Sequence, residues 1–427
     1  MSRQARTTLD TRIANYRARG VPILPADFDP KPIPDDQNAA VLYERAMTMM
    51  QIPEEQREWF GEFFDFELPL DEADVAHATA LARANAKALD LAREARGKPE
   101  VSWSLKFTDP VASTLMNPGS PGSVMKEART LTNLLATDAL RQSASGDHGA
   151  AIERLRDIHA LSRAVDEQPL VLINHLVALG ITAVACERAT NISHTLQING
   201  AGGATPDQVR SLIADLRDET ALIASAKRAW EGERMIAVAS LQSMAKQRGP
   251  LGLLVRRDAV VALNNFDGMI EALGQPSYSQ AMKKVPAVPQ GAASKVLRPW
   301  SSMMIPAWTP ALKTEYRARL LGRAAATALA VQLYRAEHAG AFPETLDALT
   351  PNYLQAVPLD PFSLTDAPLN YSSAPMALLY SVGEDAKDDG GKVAQTSANR
   401  NADRWRGRDY VFRLLENTDA ATKPVKP

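Results

Sequence analysis

Apolar residues recur at three- and four-residue spacing through most of this chain, the period of a helix with one buried face. From "NAAVLYERAMTMM" onward, Ala40, Leu42, Tyr43 and Met47 set that rhythm. "PLDEADVAHATALARANAKALDLAREARG", residues 69–97, predicts one long helix. Pro69 and Asp71 stand at its start, acidic residues fill its first turn, and Arg96-Gly97 closes it. Two further helices are expected over residues 124–143 and 148–165. Asp147 is the N-cap of the second, and Ile152, Leu155, Ile158, Ser162 and Val165 form its stripe. "PLVLINHLVALGITAVAC" predicts a buried core helix, since Asn174 and His175 in mid-run argue against a membrane span. Thr205-Pro206-Asp207 opens another helix, expected to reach Met244. Residues 250–300 read as short helical pieces between two domains.

The pattern changes near the end. "PALKTEYRARLLGRAAATALAVQLYRAEHAG" predicts a long helix ended by Gly340; Pro343 and Pro351 then set single turns, and Asp360-Pro361 makes a sharp corner. Three short strands fit the remainder, at 369–372, 377–382 and 410–414. The fold class expected is mainly α with a small C-terminal α+β module. An irregular helical bundle or array, without a fixed repeat, precedes a long helix packed on a short antiparallel sheet of about three strands. Residues 1–40 read as an extended N-terminal arm, because the prolines of "VPILPADFDPKPIPDD" enforce extended backbone. Residues 41–300 form the helical domain and 301–427 the α+β module.

Composition narrows the functional classes. A chain of 427 residues exceeds one typical core, so two domains are expected. A net charge of −2 and a pI near 6.4 offer no basic face for nucleic acid. The single cysteine, Cys186, excludes an internal disulfide and lies in an apolar run as a buried, inert thiol. The N-terminal "MSRQARTTLDTRIANYRARG" lacks the apolar core of a signal peptide. A soluble chain without a membrane span of its own is expected. It would sit at the cell envelope if an upstream anchor precedes it, and in the cytoplasm otherwise.

One stretch departs from packing logic: "LYSVGEDAKDDGG", Leu379 to Gly391, with four acidic residues in six positions before two glycines. Acidic turns of this kind are common as solvated hairpin ends. The order of "LYRAEHAGAFPETLDAL", "NYLQAVPLDPF", "LNY", "LYSVGEDAKDDGG" and "NADRW" over residues 311–414 resembles the soluble headpiece of the type II secretion major pseudopilin. That resemblance implies an α+β fold and a calcium-binding loop after the Tyr-Ser strand. Its carboxylates would be Asp385 and Asp403, with a backbone carbonyl near Val382, and Asp388 and Asp389 between them could add ligands. Ala386 replaces the family's glycine after the first aspartate, and "KVAQTSANR" lengthens the path to Asp403. An EF-hand is excluded, because Lys387 and Thr396 fall where ligands would have to stand. The helix matching the pseudopilin's filament helix is internal here and carries Arg317, Arg319, Arg323 and Arg335, so a filament-core role is not expected.

Catalytic signatures are missing. There is no His-Glu-x-x-His, Gly-x-Ser-x-Gly or Gly-x-Gly-x-x-Gly, and "GGKV" puts valine where a P-loop needs Ser or Thr. None of the six histidines follows a glutamate by three, as a di-iron bundle requires. His159 and His175 could share a face across a hairpin and seed an acid–base or metal site; core histidines bonded to a carbonyl look the same in sequence. In "WEGERM", Glu231 and Glu233 point to different faces, so an ion pair with a neighbouring helix is expected there. The expectation is no enzyme: a structural or protein-interaction protein of the bacterial envelope, secretion-related, with a protein partner and a calcium-ordered C-terminal loop. The alternative is a cytoplasmic helical adaptor for a peptide or protein, without metal.

Overall fold

A computed structural model describes residues 2–29, 32–61, 70–103, 121–167, 172–245, 250–287, 299–374, 376–392, 405 and 408–414. Helices α1 (Ser2–Ala18), α2 (Ala39–Met49), α3 (Arg57–Gly61), α4 (Glu72–Ala84) and α5 (Ala86–Arg96) come first. Then follow α6 (Pro121–Ala144), α7 (His148–Asp166), α8 (Leu172–Ser193), α9 (Pro206–Leu216), α10 (Glu219–Ala245), α11 (Pro250–Leu273) and the short α12 (Tyr278–Met282). The long α13 (Pro299–Glu337) leads to strands β1 (Asn370–Ser372), β2 (Leu378–Ser381) and β3 (Tyr410–Arg413). The fold is thus mainly α with a small C-terminal antiparallel sheet, as its periodicity requires.

Two helices that the apolar pattern joins are broken by polar side chains. At Asn85 the buried amide donates to Leu81 O (2.9 Å) and Gln51 O (2.8 Å) and accepts from Gln51 N (2.8 Å). It ties the α4–α5 joint to the loop after α2. At Asp218, Oδ1 accepts from Ala221 N (3.1 Å) and caps α10 just after α9 ends. Both side chains offer the backbone an alternative to the helical ladder. The apolar stripe runs on through each break, so periodicity alone does not reveal them.

Residues 250–273, expected as short pieces, form one helix. Its polar residues serve as partners: Asp267 accepts from Tyr16 Oη (2.6 Å) and Arg234 Nη1 (3.1 Å), and Asn264 from Arg12 Nη2 (2.6 Å). The N-terminal segment, expected as an extended arm, begins as helix α1 lying on α11. Ile13, Tyr16 and Ile23 bury there with Val238, Ala259, Ala262 and Leu263 in a small core of their own. Among the described residues, the proline-rich stretch after α1 is non-helical apart from a 3-10 turn at Pro25–Phe28.

A second, larger core runs from α2 through α5–α9 and α13 to Phe412 and Leu414, so the helical part and the sheet share one apolar interior. α13 lies at its centre. Ala324, Ala325, Ala326, Ala328, Leu329, Ala330 and Val331 are all fully buried, so this stretch is enclosed on every side. Small residues let α8, α9 and α11 approach closely. At Gly322 a Cβ would lie 2.7 Å from Leu216 O at the end of α9, so any side chain would push that helix away. α8 is long and apolar enough to cross a membrane by length and composition, but most of it is buried, as in a core helix. Glu233 accepts from Leu172 N (2.8 Å) at the start of α8, while Arg234 pairs with Asp267. Glu231 lies 3.8 Å from Arg234 on its own helix, so among the described residues the ion pair expected with a neighbouring helix is made by Arg234 and by neither glutamate.

The sheet order is β1-β2-β3, antiparallel throughout, with Tyr371 opposite Leu379 and Leu379 opposite Phe412. Alternation puts Leu379, Ser381, Tyr410 and Phe412 on the buried side, where β2 meets α13. His194 Nε2 bonds Arg413 O (2.7 Å), fastening the loop after α8 to β3.

Candidate functional site

The acidic loop starts at a buried carboxylate. Asp360, at the proline corner, accepts from Phe362 N (2.9 Å), Val382 N (2.8 Å) and Ser381 Oγ (2.8 Å), so the end of β2 is fastened to the corner. Burial raises its carboxyl above the usual range despite those bonds. Gly383 follows at φ +67°, where a Cβ would lie 2.3 Å from Arg408 O; only glycine fits this crossing of the strand ends. Glu384 turns back to α13, accepting from Arg317 Nε (2.6 Å) and Lys313 Nζ (2.9 Å). Arg317 in turn lies over the Trp405 ring, 4.6 Å from its centre.

The carboxylates singled out by sequence divide here. Asp385 is exposed and accepts from Lys387 N (3.2 Å), a local turn. Asp388 accepts from Gly390 N (2.8 Å) and from the Tyr380 hydroxyl. Asp389 donates its backbone N–H to Asp409 Oδ2 (3.0 Å), which also accepts from Gly391 N (2.7 Å). Asp403 lies outside the described residues. Ala386 has φ +56° and so occupies the conformation that glycine favours.

Asp409, just before β3, is therefore the residue that organises the loop. It is 6% exposed, and its second oxygen, Oδ1, is buried without a partner. Burial is the main cause that raises its carboxyl above the usual range. The two N–H donors oppose this, and the nearby Asp388 and Asp389 charges add to it. An orphaned carboxylate oxygen thus lies beside two further carboxylates. Among the described residues, no three His, Cys, Asp or Glu side chains are already arranged to hold a metal. "RGRDYVF" gives no sign of Asp409's role, since a lone aspartate before a strand has no distinguishing pattern.

A second polar cluster lies in the core. His175 on α8 bonds Asp166 Oδ1 at the end of α7 through Nδ1 (2.7 Å), and Glu315 on α13 through Nε2. Carboxylates only accept, so both ring nitrogens donate and the imidazole is charged. Burial alone pushes the ring down, but Glu315 first and Asp166 next more than reverse it, raising it to about 10. Glu315 keeps Oε2 buried and unpaired, and both polar side-chain atoms of the adjacent Asn174 are likewise unsatisfied. His159 belongs elsewhere: its charged neighbours are Asp215, Arg163, Asp218 and Arg156, and burial lowers its imidazole. The two histidines do not form one site. His175 and Glu315 are each 1% exposed, and neither described cavity is lined by either. The arrangement binds three helices by charge. A signal for Glu315 existed: it stands one turn from Leu312 on the apolar side of α13.

Comparison with known proteins returns no matching family model, no matching curated protein and no matching solved structure.

Proposed function

We propose that this is a non-catalytic structural or protein-interaction protein of the bacterial envelope, secretion-related, whose C-terminal loop is ordered by calcium. The observation that carries this reading is Asp409: a buried carboxylate with one free oxygen, in a loop that brings Asp388 and Asp389 close. The path from long helix through corner to three strands, in the motif order of the pseudopilin headpiece, supports it. Asp409, Asp388 and Asp389 would hold the ion, with Asp385, Asp403 and a carbonyl near Val382 as further donors. Calcium takes six to eight oxygens and tolerates an irregular loop. Its charge would relieve the repulsion around Asp409 and fasten the loop to β3. Glu384, Arg317 and Trp405 then link loop order to α13. Because α13 is enclosed in the core, this reading makes it a scaffold and not a filament helix.

The test is calorimetric titration of the full chain with calcium, beside Asp409→Asn and Asp385→Asn. Binding that Asp409→Asn abolishes and Asp385→Asn weakens is expected. No heat at millimolar calcium would leave the acidic loop a solvated turn. A second reading, the metal-free helical adaptor, has its own observation. Between α6 and α8 lies a cavity of about 350 Å³, with Met125, Ile173 and Val177 beside Lys126 and Arg129. Ile173 is 52% exposed, a rare position for a large apolar side chain on a core helix.

A further inference from the structure

We infer that the cleft between α4–α5 and α6–α7 binds an oxyanion, the phosphate or carboxylate group of a small ligand. The cleft has a volume of about 280 Å³, and Arg83, Asp90, Asp138, Arg141, Gln142 and Arg154 line it. Asp138 is its buried floor, 1% exposed, and arginines occupy both its oxygens. Oδ1 accepts from Arg141 Nε (2.9 Å) and Nη2 (2.7 Å); Oδ2 accepts from Arg154 Nε (2.7 Å). Arg154 is held further by Nη1, which donates to Leu89 O (3.0 Å) and Asp157 Oδ2 (3.1 Å).

Those bonds fix two guanidiniums and, among the described residues, leave each with an uncommitted nitrogen, Arg141 Nη1 and Arg154 Nη2, on side chains that line the cleft. Arg83 enters from α4 on the opposite side. Among the described residues its side chain makes no hydrogen bond or ion pair. One arginine would balance Asp138. Here two hold it, Asp157 beside Arg154 is itself matched by Arg93 and Arg96, a third arginine faces the cleft, and Asp90 at the exposed rim is the other acid among the described lining residues. The cleft therefore keeps both surplus N–H donors and a surplus positive charge. Guanidinium forks match planar carboxylates and tetrahedral phosphates, and forks already held in place lose little freedom on binding. The space suits a small molecule and not a protein segment.

The test is calorimetric titration of the full chain with inorganic phosphate and, separately, succinate. Calcium is left out and ionic strength is held constant with sodium chloride. Arg83→Gln is the informative variant, because its side chain is exposed and bears no part of the fold. Arg210→Gln, on α9 and outside the cleft lining, is the control. Saturable binding is expected, about tenfold weaker in Arg83→Gln and unchanged in Arg210→Gln. Heat with phosphate alone assigns a phosphorylated ligand, and heat with succinate alone a carboxylate. Heat with both assigns a site that reads the oxyanion itself. No saturable heat with either anion, or Arg83→Gln binding as the parent does, would overturn the inference and leave the arginines as helix ties.

Discussion

Replacing His175 by leucine tests the buried charge cluster most directly. The ring joins Asp166, whose side chain is 10% exposed, to Glu315, whose side chain is 1% exposed. Removing it leaves the Glu315 carboxyl in the core with neither oxygen paired. Breaking a buried ion pair from one side costs about 3–5 kcal/mol. Unfolding entropy near 2.1 cal/mol/K per residue gives about 0.9 kcal/mol/K for 427 residues, so about 4 kcal/mol lowers the thermal midpoint by about 4–5 °C. The pH dependence has a definite sign. The imidazole is raised from 6.5 to about 10 on folding, so its contribution is full below pH 6.5 and is lost as pH rises toward 10. Thermal melts followed by circular dichroism at pH 6, 8 and 9.5 should therefore show the parent losing stability with pH, and His175→Leu losing much less. A second variant, His175→Leu with Glu315→Met, removes the stranded carboxyl and should recover most of the loss. A midpoint within 1 °C of the parent for the single variant would refute the charged clamp. So would a double variant less stable than His175→Leu alone.

Two further substitutions test local geometry. Ala386→Gly relieves a positive φ in the acidic loop and should stabilise the chain by up to about 1 kcal/mol in urea unfolding; a loss would mean that the loop does not hold this conformation. Gly322→Ala sets a methyl 2.7 Å from Leu216 O and should cost about 1–3 kcal/mol in the same assay, with no cost if α9 can slide aside.

Local rules carried a large part of the fold. Asp147 caps α7 through Ala150 N (3.0 Å), as a short polar side chain before an apolar stripe should. The three strands fall within a residue or so of the places that alternation and turn residues mark. Such features depend on neighbours a few residues away, so they are written in the sequence. The break at Asn85 is not, because it depends on a distant partner, Gln51, 34 residues upstream; the Asp218 cap is as local as that of Asp147 and is hidden only by the apolar stripe that runs on through it. The sites depend still more on distance along the chain. Asp409 is set by amides 18 and 20 residues upstream, and His175 by a glutamate 140 residues downstream. A polar residue in an apolar stripe announces in sequence that it must be paired; only the packing of α7, α8 and α13 decides with what. Likewise, the acidic run marked the loop, but its central carboxylate comes from another strand, because a buried charge is defined by everything that surrounds it.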